Sequence, residues 1–489
     1  MTERELGPYA TAGDVMAALD AGQVLSEELT RAHIERIERL DGQINAVVVR
    51  DFERALEAAR AADQARRSGA RGALLGLPMT VKDAFYVDGL PASGGGIPER
   101  ADVISDWDAP LVARLKAAGA IILGKTNMPP FAADHQTNNP LYGRTNNPWD
   151  LTRTPGGSSG GAAAALASGM TPLEIGGDYA GSIRVPSAFC GLFGHKTSET
   201  IAPRPGHFPG GRLPNTAFGM AVQGPLARSA ADLRTVFDVM IGPQIGEDVA
   251  WRVDPPPARA NRLSDLRVAV LPRLEWLPLD DEIAGTMDAW ASRLSKAGAR
   301  VAEVDPLDGD LGALFKTFLR ILFAQTSVEV THEEAEQTAA GLREAGNEFL
   351  DAVADGWLSS AGDFLRWYWE REIARERLRR FFQEWDVLLA PCACLNAFEH
   401  TEWEDSGDEG RSLPVNGEQV NTVYLFFYPA LCNVTGHPGT AFPAGRTRDG
   451  LPIGLQAIGP YLEDRTGLRF AALVEREFGG FSPPPGYRE

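Results

Sequence analysis

Two glycine-rich stretches of this 489-residue chain place serines where backbone amides can converge. TPGGSSGG at 154–161 carries Ser158 and Ser159, and GGDYAGSIRVP at 176–186 carries Ser182. Glycine at this density marks backbone that enters the left-handed region or approaches a neighbour closely. A serine hydroxyl becomes a good nucleophile only when a base takes its proton. None of the seven histidines stands in a recognisable triad context with an elbow serine and a later acid. Lysine is scarce, six residues among 47 basic ones, and none has a serine three positions before it. Lys82 is the lysine that stands out, because it follows the apolar Leu77, Pro78, Met79 and Val81 and precedes Asp83. Desolvation at a strand end favours the neutral amine, drawing the group from its ordinary value near 10.4 toward neutrality, where it can act as a base. An ion pair of Lys82 with Asp83 at the surface is the alternative reading. Ser158 can relay a proton between Lys82 and Ser182, since a hydroxyl both donates and accepts. A phosphate-cradling reading of TPGGSSGG lacks the lysine of a G-K-[ST] loop.

Elements must bring these groups together. Thr11–Leu19, Ser26–Leu40 and Asp51–Arg66 show apolar residues at helical spacing, so 1–70 is expected to form a helical N-terminal layer. From Leu77 onward strand-like and helix-like segments alternate: LPMTV, PLVARLKAAGA, AIILGKT, GAAAALASG and LEIGG. Such alternation predicts an α/β protein whose sheet is covered on both faces by helices. Leu226–Ile241 and Asp281–Ala297 are expected as helices, with LRVAVLP a buried strand between them. Residues 331–385 read as helices of an outer cover, about 306–385 in extent. WDVLLAP, GTAFPAG and LPIGLQAIGP return the chain to the sheet before a last helix at Asp464–Glu477.

A formal net charge of −19 argues against a nucleic-acid or anionic-membrane surface. The start MTERELGPYA has no apolar core of a signal peptide, and the most apolar run, Val423–Val434, is short and holds Pro429. A cytoplasmic protein without membrane or nucleic-acid partners is the expectation. Cys190, Cys392, Cys394 and Cys432 fit no zinc spacing and are too few for a disulfide scaffold. No metal or organic cofactor is expected. EDSGDEGR at 404–411 reads as a solvated loop, and the Gly/Pro-rich segment 198–225 as a substrate loop.

GLPMTVKD, GKTNMPPFA, YGRTNNPWDLTRTPGGSSGG, GGDYAGSIRVPSAFCG and GLPIGLQAIGP, in this order, resemble the blocks of the amidase signature family, and the resemblance spans nearly the whole chain. It implies the amidase signature fold, a large mixed, twisted sheet covered on both faces by helices, with 71–489 as the catalytic domain, and a Ser-cisSer-Lys triad. Position by position, that makes Lys82 the base, Ser158 the relay serine with a cis peptide bond, and Ser182 the acylated nucleophile. The implied oxyanion hole is made of the backbone N–H groups of Tyr179, Ala180, Gly181 and Ser182. Ala180 departs from the usual D-x-G-G-S, where glycine is expected, and restricts φ. Asp178 and Arg184 resemble a pair that braces this loop, Ser159 supports it, and Asn127 and Tyr179 are candidates for contact with substrate. Tyr179 is either part of the acyl pocket or a packed, hydrogen-bonded residue; His437 reads as structural. The implied activity is hydrolysis of a small, hydrophobic or aromatic amide through an acyl-enzyme. Carbamate or ester cleavage, or a catalytically silent amidotransferase-like component, are the alternatives. Phe364, Trp367, Tyr368, Trp369, Tyr424, Phe426, Phe427 and Tyr428 suggest an apolar entrance, with plain core packing as the alternative. The partners implied are a small-molecule amide and water, with a homodimer left open.

Overall fold

The computed structural model describes residues 6–208, 219–327, 330–402 and 411–488. The expected loop at 404–411 lies almost wholly outside the described residues, as does 209–218 of the segment 198–225. The chain opens with α1 (Ala12–Asp20), α2 (Ser26–Ile44) and α3 (Phe52–Arg67). Thr11 and Asp14 close a capping box at the start of α1. The first 70 residues are not wholly helical, however. Val47–Arg50 form strand β1, whose buried Val47 and Val49 alternate with more exposed neighbours, as a half-covered strand requires.

β2 (Pro78–Lys82) and β3 (Ile121–Thr126) are joined through α4 (Pro110–Ala117), which starts on Pro110. β3 lies between β1, antiparallel, and β2, parallel. The strand that ends in Lys82 therefore belongs to a three-stranded sheet separate from the large one.

There follow α5 (Gly160–Ala167), β4 (Leu173–Asp178), α6 (Arg184–Cys190), β5 (Phe193–Lys196), β6 (Val222–Ala227) and α7 (Ala230–Met240). The helix expected from Leu226 begins at Ala230 instead. Ser229 caps it by accepting from the Asp232 amide, while Leu226 and Ala227 pair as strand with β4 and β5. Next come β7 (Arg267–Val270), α8 (Asp281–Lys296), β8 (Arg300–Glu303), the cover helices α9 (Leu311–Thr326), α10 (His332–Glu344), α11 (Glu348–Trp357) and α12 (Ala361–Glu384), and β9 (Val387–Pro391). The chain closes with the hairpin β10 (Ser412–Val415) and β11 (Glu418–Asn421), then α13 (Phe427–Asn433), β12 (Gly439–Arg446), β13 (Pro452–Ile458) and α14 (Asp464–Phe478).

The large sheet has eight strands in the order β4-β6-β5-β12-β13-β9-β7-β8. It is mixed: β7 runs parallel to β8 and β9, while the remaining neighbours are antiparallel. Successive residues of β12 face opposite sides, as the pleat dictates. Phe442 packs into an apolar cluster with Phe237, Leu473 and Val474 of α7 and α14, and Ala441 into another with Val185 of α6 and Phe315 of α9. Both faces of the sheet are thus covered by helices. All four cysteines are buried and free.

Candidate functional site

Lys82 terminates β2 with no solvent exposure, and its Nζ donates to Ser158 Oγ at 2.7 Å. Burial pushes the ammonium down to about 7, against the opposing pull of Asp178, Glu174 and Asp83. The Lys82–Asp83 surface pair does not form. Asp83 instead pairs with the buried Lys125 at 2.7 Å and accepts from the Ser93 hydroxyl and, at 3.0 Å, from the Gly95 amide.

The two serine loops meet through backbone. The Gly157–Ser158 peptide is cis, and the Ser159 amide donates to the Ser182 carbonyl at 3.2 Å. Ser182 lies at the turn between β4 and α6 and retains 7% exposure, whereas Ser158 and Ser159 have none. Gly181 sits at φ 97°, a conformation that favours glycine and lets the chain reverse immediately before Ser182. The turn is held by a buried bidentate pair: Arg184 Nε reaches Asp178 Oδ2 at 3.0 Å and Nη2 reaches Oδ1 at 2.9 Å. Arg184 also donates to Gln456 at 2.7 Å, to Cys432 Sγ at 3.0 Å and to Asn433. Burial alone would raise the Asp178 carboxyl, but Arg184 and Asn433 hold it well below the usual carboxylate range. A bidentate pair of this kind fixes the geometry of the turn it spans.

Asp178 also accepts from the Gly181 amide at 2.9 Å and the Ile183 amide at 3.2 Å. The expected oxyanion donor Gly181 is therefore committed to the carboxylate, leaving the amides of Tyr179, Ala180 and Ser182 as candidates. Ala180 stays outside the left-handed region, so its β-carbon is tolerated without strain. Its carbonyl accepts from His135 Nε2 at 2.8 Å, which fixes that nitrogen as the protonated one.

Asn127 is not positioned as a substrate contact. Its amide group donates to Gly143 O and Thr145 Oγ1, both at 3.0 Å, its Oδ1 accepts from Asn139 and the Met128 amide, and its backbone bonds Ala46 and Gly161. Every polar atom is used within the protein, so the residue knots three loops. Ser159 Oγ and Tyr179 Oη are buried without a hydrogen-bond partner among the described residues. Tyr179 is thus packed but not hydrogen-bonded; burial raises its phenol, and Arg204 is the cation that acts on it most. The expected aromatic entrance divides: Trp367, Phe427 and Tyr428 are buried core, Trp369 is 73% exposed on the outside of α12, and Phe426 lies 5.0 Å from the His135 ring.

Three further groups at this site carry no motif signal. His207 presses Nε2 against the Gly177 backbone, where a β-carbon would come within 2.2 Å, and among the described residues the same nitrogen has no hydrogen-bond partner. Burial, and then Lys82, hold that imidazole well below its ordinary value. Phe131 and Phe208 form a tilted pair at 5.8 Å beside the Lys82 loop, where the Phe208 amide donates to Ala84 O. Glu174 is buried on β4. The glycine in LEIGG and the glutamate in a buried strand are the available signals for His207 and Glu174, because each departs from an apolar strand pattern. Among the described residues no group of three or more His, Cys, Asp and Glu could hold a metal ion, and no helix is long and apolar enough to cross a membrane.

A buried lysine bonded to one serine, beside a second serine on an ion-paired turn, has the groups that hydrolysis through a serine hydroxyl requires. The chain matches the Amidase family over residues 28–468. It is 34% identical to an indoleacetamide hydrolase of Bradyrhizobium diazoefficiens, covering 96% of this chain and 86% of the relative. Identity to an acylamidase of Rhodococcus erythropolis is 32%, over 97% and 96% of the two chains. A component of the glutamyl-tRNA(Gln) amidotransferase of Nocardia farcinica is also 32% identical, over 96% and 98% of the two chains. The solved structure of a bacterial aryl acylamidase of the amidase signature family superposes with a TM-score of 0.79 at 25% identity, over 96% of each chain. The chain belongs to the amidase signature family and is an amidohydrolase of C–N amide bonds.

Proposed function

We propose that this amidohydrolase cleaves a small hydrophobic or aromatic amide through an acyl-enzyme on Ser182, with Ser158 as relay and Lys82 as base. The observation that carries the reading is the 2.7 Å contact from a fully buried Lys82 to Ser158 Oγ. A lysine brought to about 7 is a free amine in a large fraction of molecules at neutral pH. Lys82 takes the proton of Ser158, Ser158 takes that of Ser182, and Ser182 Oγ attacks the amide carbonyl. The amides of Tyr179, Ala180 and Ser182 receive the developing negative charge, a kind of contact worth about 3–4 kcal/mol of barrier per donor. The proton returns through Ser158 to the leaving amine, and water attacks the acyl-enzyme by the same route. An apolar acyl or leaving group is supported by Phe131, Phe208, Phe426 and the unbonded Tyr179 around these loops. The names of two relatives, an indoleacetamide hydrolase and an aryl acylamidase, point the same way.

Reaction with a serine-directed fluorophosphonate, followed by peptide mass analysis, is expected to place a single adduct on Ser182 and to abolish turnover of aryl amides. Turnover that survives complete labelling, or an adduct at another serine, would overturn the assignment.

A further inference from the structure

Glu174 lies on β4, eight residues before Ser182, and has no solvent exposure. Its Oε2 is bonded to the Thr80 hydroxyl and its Oε1 accepts from the Ile175 amide at 3.1 Å; among the described residues it forms no ion pair. Thr80 precedes Lys82 by two positions on β2, so the two side chains leave the same face of the strand and the carboxyl is held on the side of the amine.

The other charged groups that act on Lys82 are accounted for. Asp178 is bound by Arg184 and Asp83 by Lys125, while His207, which burial keeps neutral, adds no charge. Of the three carboxyls that act on the lysine, Glu174 alone lacks a cation at ion-pair distance. A buried carboxyl in that position is favoured in its uncharged form, and burial pushes this one up to about 8.

We propose that Glu174 is a positioning residue that, by keeping its own proton, holds Lys82 as the free amine. The inference rests on the reading of Lys82 as the base. With Glu174 uncharged the pair is carboxylic acid and amine. If the proton moved to Lys82 the pair would become carboxylate and ammonium, and Ser158 would have no acceptor. The net charge of the two arrangements is the same, so the proton's location alone sets whether the base is available.

Infrared spectroscopy of the full chain at neutral pH is expected to show the carbonyl stretch of a buried protonated carboxylic acid, absent from Glu174→Gln. If Glu174→Gln does not fold, Glu174→Asp supplies the band assignment. Glu174→Gln, which imitates the uncharged form, is expected to leave the acid limb of kcat/KM for an aryl amide within about 0.3 of the parent's pH, because no charge beside Lys82 is removed. An ionised Glu174 in the parent at neutral pH, an acid limb moved to lower pH by about 1 or more in Glu174→Gln, or a folded Glu174→Gln without activity at any pH would each overturn the proposal. Lys82→Ala that retains activity would instead remove the base reading, with the infrared band still reporting on Glu174.

Discussion

The surroundings of Lys82 and of Ser182 solve opposite problems with the same kinds of residue. Around Ser182 the two charges of the turn pair with each other: Asp178 and Arg184 grip each other at 2.9 Å, and Asn433 and Gln456 add further hydrogen bonds to the pair. Around Lys82 the charges are kept from pairing with it, because Asp83 is given to Lys125 and Asp178 to Arg184. Full pairing fixes a backbone turn. Withheld pairing leaves a buried amine that, among the described residues, bonds a hydroxyl alone, and such an amine loses its proton readily. The same carboxylate, Asp178, thus stiffens one region and, being already satisfied, spares the base of the other.

The sharpest way to break this contrast is to replace the reacting groups. Ser182→Ala is expected to lower kcat on an aryl amide by about 10⁴–10⁶-fold. Lys82→Arg, whose guanidinium does not deprotonate, is expected to lose about 10²–10⁴-fold. Appreciable turnover by the Lys82→Arg enzyme would show that a neutral base is not required.

Stability separates the two regions in the opposite sense. Arg184→Met strands Asp178 as an unpaired buried charge and is expected to destabilise the fold by about 3–5 kcal/mol in chemical denaturation, with partial recovery on adding Asp178→Asn. Lys82→Met removes an amine whose burial is itself unfavourable, so stability is expected to stay within about 1 kcal/mol of the parent or to exceed it, while activity is lost. Equal losses from the two methionine variants would erase the distinction.

The pH dependence sharpens it further. The base must be neutral, so kcat/KM is expected to rise with pH through about 7 and then level. Lys82 holds its proton less tightly in the folded chain than in the unfolded one. From about 7 up to the ordinary lysine range near 10.4 the unfolded state binds more protons, and this group's contribution to stability increases with pH. Asp178 is shifted downward by Arg184, so its contribution is complete above the ordinary carboxylate range and is lost as pH falls below it. The difference between the denaturation midpoints of the parent and of Lys82→Met is expected to be constant on the acid side and to change in the parent's favour from about pH 7 upward.

Much of this is legible in the sequence. The run Leu77–Val81 before Lys82, the glycine pairs around Ser158, and the Asp178–Arg184 spacing each act through neighbours close in the chain or through a strand and a turn, and patterns record such effects well. β1, β5, β6 and β8 escape such patterns because four to six residues of strand give too few alternations to stand out from loop. The separate sheet of β2 escapes them because no local pattern says which strands pair. Asn127 misleads for a related reason: its type suits substrate binding, and only the fold shows that Gly143, Thr145, Asn139 and Met128 occupy all its bonding capacity. His207 and Glu174 need long-range placement, His207 because its neighbour Gly177 is thirty positions earlier.

Ala180 offers the smallest and most discriminating test of the paired region. If the Asp178–Arg184 clamp sets the turn before Ser182, the residue at 180 needs no glycine, because it lies outside the left-handed region and only Gly181 enters it. Ala180→Gly is therefore expected to change kcat/KM by less than about threefold, under about 0.7 kcal/mol of barrier, and to lower stability by about 0.4–1 kcal/mol through added freedom of the unfolded chain. Gly181→Ala puts a β-carbon at φ 97° and within 2.6 Å of Pro429, so it is expected to cost far more in both measurements. A large gain in activity from Ala180→Gly would mean that the alanine, and not the clamp, limits how the amides of Tyr179, Ala180 and Ser182 meet the oxyanion.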